Sequence, residues 1–205
     1  MSYVDDIQKV GHLTINEIIK ISNLYVPDIF KPCPWKYIDS QGRTLNHGTA
    51  VLETEELCSA YMSAYGPMHY HKLMRALDEN EFPYSDLTGG IEIYDWGCGQ
   101  GIGTMAVIEK FRQHGMLDKL RKVVLEEPSD VARDRAVIHV KKALEDYNAD
   151  VIAVSKYLPS DNGDNSNCIT SINVEQPTAI HIFSNILDIE AVSLKGVSKM
   201  ITSSG

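Results

Sequence analysis

Residues 91–104 read Ile91-Glu92-Ile93-Tyr94-Asp95-Trp96-Gly97-Cys98-Gly99-Gln100-Gly101-Ile102-Gly103-Thr104. The opening residues are β-branched and aromatic, which predicts a strand ending near Asp95. Gly97, Gly99, Gly101 and Gly103 then alternate through a turn. Beyond it, Met105, Ala106, Ile108 and Phe111 recur at helical spacing from Thr104 onward. A helix that follows a strand presents unpaired N–H groups at its start, and glycines let a ligand approach that backbone closely. A side chain at Gly97, Gly99 or Gly101 is expected to crowd a group seated above the strand edge. The stretch therefore predicts a strand–turn–helix unit suited to a nucleotide-like ligand.

The chain continues in the same style. Residues 122–127, Lys-Val-Val-Leu-Glu-Glu, predict a second strand, and Ser129 caps an amphipathic helix through Val131, Ala132, Ala136, Val137, Val140, Ala143, Leu144 and Tyr147. Residues 151–154 predict a third strand, followed by a polar loop over 159–167. A fourth strand over 179–183 leads into Ser184-Asn185-Ile186-Leu187-Asp188 and a last helix over about 190–200. Repeated strand–helix units imply an α/β fold with a parallel sheet and right-handed crossovers.

Two details narrow the ligand. The G-x-G-x-x-G spacing of a dinucleotide turn is not met, because Ile102 or Thr104 stands where the third glycine belongs. Asp95 ends the strand two residues before the first glycine. An anion there is poorly suited to a pyrophosphate and well suited to a cation. S-adenosylmethionine carries an ammonium and a sulfonium and no phosphate.

With these residues in view, 93–104 resembles motif I of the class I (Rossmann-like) S-adenosylmethionine-dependent methyltransferases, and a weaker resemblance covers about 91–189. It implies a Rossmann-like sheet in which Asp95, Gly97, Cys98, Gly99 and Gly101 line the cofactor and Asp95 accepts from the methionine ammonium. An acid at the end of the second strand is expected to hold the ribose hydroxyls. Glu126 and Glu127 both stand there, and Glu127-Pro128-Ser129 fits the family pattern better. Ser184 and Asn185 are expected contacts to cofactor or acceptor. The adenine contact stays open among Lys156, Tyr157, Asp161, Asn162, Asp164 and Asn165. His181 lies inside the fourth strand, and a core histidine and a catalyst both remain open. No catalytic residue is assigned, because the sulfonium already activates the methyl group. Ser-Asn-Ile-Leu at 184–187 lacks the Asn/Asp-Pro-Pro-Tyr/Phe of the enzymes that methylate DNA amino groups.

Residues 1–88 differ in texture and are expected to form a helical N-terminal extension, a cap or lid on a cofactor-binding domain over 89–205. Ile7, Val10, Ile15, Ile18, Ile19 and Ile21 mark a helical stretch interrupted at Gly11. A Pro-rich segment over 27–34 and a turn at Ser40-Gln41-Gly42 follow. A helix begins after Thr54 and is expected to bend or split at Gly66-Pro67. His69 and His71, two residues apart, point in different directions on a helix and make a poor metal pair.

Composition bounds the rest. The 205 residues carry 28 acidic against 19 basic side chains, a net charge of −9 without a Lys/Arg run, which argues against direct nucleic-acid binding. Cys33, Cys58, Cys98 and Cys168 are scattered without a C-x-x-C pair, which argues against a metal site and fits a reducing cytoplasm. No apolar run approaches the roughly 20 residues needed to span a bilayer. Only four strands can be placed, in the expected order 3-2-1-4. Because the sheet of the methyltransferases it resembles has seven strands, the resemblance implies the cofactor-binding part of a longer domain, truncated at its C-terminus, with an unusually short variant as the alternative. The exposed edge of the fourth strand is expected to be covered, by a second copy of the chain in a homodimer or by the N-terminal segment folding across it. Two functions follow: a methyltransferase whose acceptor is unknown, or a non-catalytic module that binds S-adenosylmethionine, or has lost it, in a regulatory or assembly role.

Overall fold

The computed structural model describes residues 2–48, 50–79, 82, 84–87, 89–155, 157–158, 178–184 and 193–204. Four strands, β1 (Ile91–Trp96), β2 (Leu120–Glu126), β3 (Asp150–Val154) and β4 (Thr178–Ile182), form one parallel sheet in the order β3-β2-β1-β4. With helices packed on it, this is the Rossmann-like α/β arrangement expected. The expected polar loop over 159–167 lies outside the described residues.

The sheet has two apolar faces. Ile91, Ile93, Val123 and Leu125 point to one side and are fully buried. They meet α4 (Ile102–Gln113) and α5 (Asp130–Ala143), the helices of the β1–β2 and β2–β3 crossovers. Tyr94, Trp96 and Val124 point to the other side and pack with Val154, Leu158, Ala179 and Phe183. On this second face the rings of Tyr94, Trp96, His181 and Phe183 lie nearly parallel, and Trp96 Nε1–H donates to His181 Nδ1 at 3.0 Å.

Ser129 caps α5 as expected, its Oγ accepting from Ala132 N–H. The helix ends at Ala143, one turn before Tyr147. The last helix is α6 (Leu194–Ser204), capped by Ser193 Oγ, which accepts from Gly196 N–H; the expected start at Glu190 lies outside the described residues.

The N-terminal helices are α1 (Tyr3–Gln8), α2 (Ile15–Leu24) and α3 (Glu55–Glu79). Ser2 and Asp5 form a reciprocal capping box on α1, and Thr14 caps α2 through Glu17 N–H. Thr54 Oγ1 accepts from Leu57 N–H at the start of α3. Of the expected bend or split at Gly66-Pro67, the split does not occur: α3 runs through both residues as one helix of 25 residues. Tertiary packing carries it across the break. A Cβ on Gly66 would stand 3.1 Å from Ile19 Cγ1, so α2 crosses α3 against this glycine.

Tyr3, Ile7, Ile15, Ile18 and Met62 from these helices join Ile91, Met105, Ile108 and Phe111 in one continuous core. α4 is buried along almost its whole length, Glu109 and Lys110 included. Their charges are met by the helices that cover them. Glu109 accepts from Ile15 N–H at 2.7 Å and from the Tyr70 hydroxyl at 3.0 Å, and Lys110 pairs with Asp78.

Candidate functional site

In a parallel sheet the strand C-termini share one edge, so topology collects Asp95, Glu127 and Ser184 there. Asp95 sits in register with Leu125 of β2 and Ile182 of β4. The chain then turns sharply. Cys98 N–H donates to Glu126 O at 2.9 Å, and Gly101 N–H to Cys98 O at 2.8 Å. Gly97, Gly99 and Gly101 take φ values of 67°, 52° and 81°, the left-handed region that side chains disfavour.

The glycines serve different ends. A Cβ on Gly99 would meet open space, so conformation alone demands that glycine. A Cβ on Gly101 would press on Ala136 of α5 at 3.2 Å. The closest approach is at Gly103, where a Cβ would lie 2.8 Å from Ile182 Cγ2 and 3.1 Å from Asp95 Oδ2. Crowding is therefore between protein elements at Gly101 and Gly103, and Gly99 leaves space above the turn.

Asp95 is only 1% exposed. Its Oδ2 accepts from Thr104 N–H at 3.0 Å and from the Thr104 hydroxyl at 2.8 Å, while its Oδ1 has no hydrogen-bond partner among the described residues. Burial pushes its carboxyl up to about 6; the Thr104 bonds oppose the shift and the nearby Glu127 charge adds to it.

Glu127 closes the other side of the turn. Its Oε2 accepts from Gly99 N–H at 2.9 Å and its Oε1 from Ser129 N–H at 3.0 Å. Burial raises its pKa, against those two bonds and the Arg133 guanidinium. Arg133 also donates to the Glu127 carbonyl at 2.8 Å. Cys98 is buried, and desolvation drives its thiol well above the usual range, which suits a packing role rather than a nucleophilic one.

Ser184 is half-buried just past the end of β4. Asn185 lies outside the described residues, as do Lys156, Asp161, Asn162, Asp164 and Asn165. Tyr157 is described and is largely exposed. His181 is tied to Trp96 within the aromatic row, and burial lowers its pKa.

Helix α3 reaches this edge as well. The chain just before it touches the β2–α5 turn, where Ser129 Oγ donates to Leu52 O. Tyr61 is packed against Tyr65 and His69, and its phenol is pushed up to about 12 by burial, then by Tyr65 and the Glu127 charge. Sequence reasoning did not place Tyr61 at the site, and it gave Gln100, within the turn, no role of its own. Gln100, 2% exposed, is held from three directions by α3 and α5. A signal for this was present. Arg135 and His139 fall on the apolar stripe of α5 with Ala132, Ala136, Val140 and Ala143, where polar side chains need a buried partner.

No family model matches the chain, and no curated protein matches it. What the fold and the turn define is a Rossmann-like α/β domain with a glycine turn between two buried carboxylates.

Proposed function

We propose that the turn binds S-adenosylmethionine and that the chain is the cofactor-binding part of a methyltransferase. The observation that carries this reading is Asp95. A buried carboxylate with one unpartnered oxygen, beside a second buried carboxylate, calls for a cation, and the ammonium of the methionine moiety supplies one. The backbone from Gly97 to Gly101 would line the methionine and ribose portions, and Glu127 would meet the ribose hydroxyls. When bound, the cofactor supplies a methyl group activated by its sulfonium. The protein's part is to orient it and exclude water.

A second reading is favoured by a specific feature of Glu127. Both of its oxygens already hold backbone N–H groups. A carboxylate so engaged serves the turn itself, as in a non-catalytic module in which the site is structural. Calorimetry with S-adenosylhomocysteine separates the two. Binding is expected, with a larger thermal shift than NAD produces, because Asp95 and Glu127 repel a pyrophosphate. No binding would favour the structural module, and a larger shift from NAD would remove the methyltransferase reading altogether.

A further inference from the structure

The glycine turn is held from outside the sheet by a chain of buried polar groups that begins in the first helix. Tyr3 on α1 is buried, and its hydroxyl lies 2.8 Å from His139 Nε2 and 3.3 Å from Ser22 Oγ. His139 Nδ1 lies 2.9 Å from the Gln100 carbonyl oxygen. That oxygen can only accept, so Nδ1 carries the proton, Nε2 accepts from the Tyr3 hydroxyl, and Ser22 donates to Tyr3. Complete burial holds the imidazole pKa down at about 4, which keeps the ring neutral and this tautomer in place.

A second arm runs through Arg135, 1% exposed. Its guanidinium packs over the Tyr3 ring at 3.7 Å and pairs with the Glu55 carboxylate. It also donates to Glu55 O at 3.0 Å and Ser59 Oγ at 2.9 Å on α3, and to Gln100 Oε1 at 3.3 Å. Gln100 Nε2 in turn donates to Cys58 O at 2.9 Å. The side chain and carbonyl of Gln100 are thus fixed by groups on α3 and α5 that α1 braces.

Gln100 lies between Gly99, whose N–H meets Glu127, and Gly101, which begins α4. Glycines have the largest conformational freedom to lose, so a turn built of them holds one shape only if something outside fixes it. We infer that Tyr3, His139 and Arg135 are positioning residues for the glycine turn, so that ligand capture there depends on contacts made by α1 and α3. Through Tyr3 and the α3 groups around Gln100, the N-terminal helices are in this sense part of the binding site.

The test uses the full chain and the variants Tyr3→Phe, His139→Leu and His139→Asn. The asparagine keeps a donor near the Nδ1 position, and the leucine removes it. Amide hydrogen exchange is read at Gly99 and Gly101 and, for comparison, at Val123 and Leu125 in the middle of the sheet. Tyr3→Phe is expected to speed exchange at the two glycines about tenfold, as loss of one buried hydrogen bond would, with Val123 and Leu125 unchanged. His139→Asn is expected to exchange more slowly at the glycines than His139→Leu. S-adenosylhomocysteine affinity is expected to fall in the same order. Unchanged glycine exchange in Tyr3→Phe would overturn the inference. So would acceleration of all four amides alike, which marks a general loss of stability. The affinity measurement rests on the function proposed above, whereas the exchange measurement does not. Failure of the wild type to bind S-adenosylhomocysteine, together with the local exchange effect in Tyr3→Phe, would end the proposed function and leave the positioning role supported.

Discussion

Asp95 carries the clearest opposition between binding and stability. Burial raises its carboxyl from the usual 3.8 to about 6, so the folded chain holds this proton more tightly than the unfolded one. Between about pH 4 and pH 6 the folded state binds more protons at this site, and stability there falls as pH rises. The penalty is complete above the folded value and absent below the unfolded one. Asp95→Asn cannot titrate, so the difference in unfolding free energy between wild type and variant is expected to change across this window and flatten above it. Denaturant unfolding at a series of pH values reads this directly, and a constant difference would contradict it. The same variant, and Glu127→Ala, are each expected to weaken S-adenosylhomocysteine binding by roughly 1.5–3 kcal/mol, the worth of a charge-assisted hydrogen bond. Unchanged affinity in both, with the fold intact, would remove these residues from the site. The positions of Asp95 and Glu127 were legible in the sequence, because Asp95 stands one residue before the end of β1 and Glu127 one residue past the end of β2, each beside a turn. Their hydrogen bonds to Thr104, Gly99 and Ser129 were not, since those depend on how tightly the turn closes.

At the scale of elements, α3 and α4 show tertiary contacts overriding local preference. Pro67 lacks the N–H that would bond the carbonyl one turn earlier, yet α3 continues through it. The residue is exposed, so Pro67→Ala restores a helix hydrogen bond at no packing cost. Stability is expected to rise by about 2 kcal/mol, the helix penalty of proline less its restriction of the unfolded chain. A lowered denaturation midpoint would show that the proline relieves a clash instead. Gly103 tests the crossing of α4 over β1 and β4. Alanine there gains about 1 kcal/mol of helix propensity but drives a methyl group toward Ile182 and Asp95, and overpacking of this kind costs about 1–3 kcal/mol. Net destabilisation is expected, whereas Gly99→Ala meets open space and costs only its left-handed backbone. A Gly103→Ala midpoint at or above that of the wild type would mean that contact at Gly103 is unimportant.

Over the whole molecule, α1, α2 and α3 lie on the same side of the sheet as α4 and α5, and their apolar side chains complete one core. Among the described residues, no helix is long and apolar enough to cross a membrane. β3 and β4 are the outer strands, and among the described residues no further strand pairs with β4. An open strand edge offers unpaired backbone groups, and two identical edges can pair about a two-fold axis. Sedimentation is therefore expected to show mass rising with concentration toward a dimer, with slow amide exchange at Ala179 and His181, which alternate with the residues whose N–H groups bond to β1. A monomer at every concentration with fast exchange there would remove this expectation.

The sequence by itself determined the sheet. Alternating Ile91, Ile93 and Asp95, the glycines at 97, 99, 101 and 103 and the capping Ser129 are local patterns, and parallel topology follows from repeated strand–helix units. The order β3-β2-β1-β4 does not follow from those patterns; it was implied by the resemblance to the methyltransferases, and the sheet has it. What only the tertiary structure decided is the company the turn keeps. Residues far apart in the chain, Tyr3 and His139 or Glu55 and Arg135, meet around Gln100 because α1 and α3 pack against α5. No spacing encodes such pairs. A buried polar group announces only that it needs a partner, and which partner it finds is settled by how the helices pack.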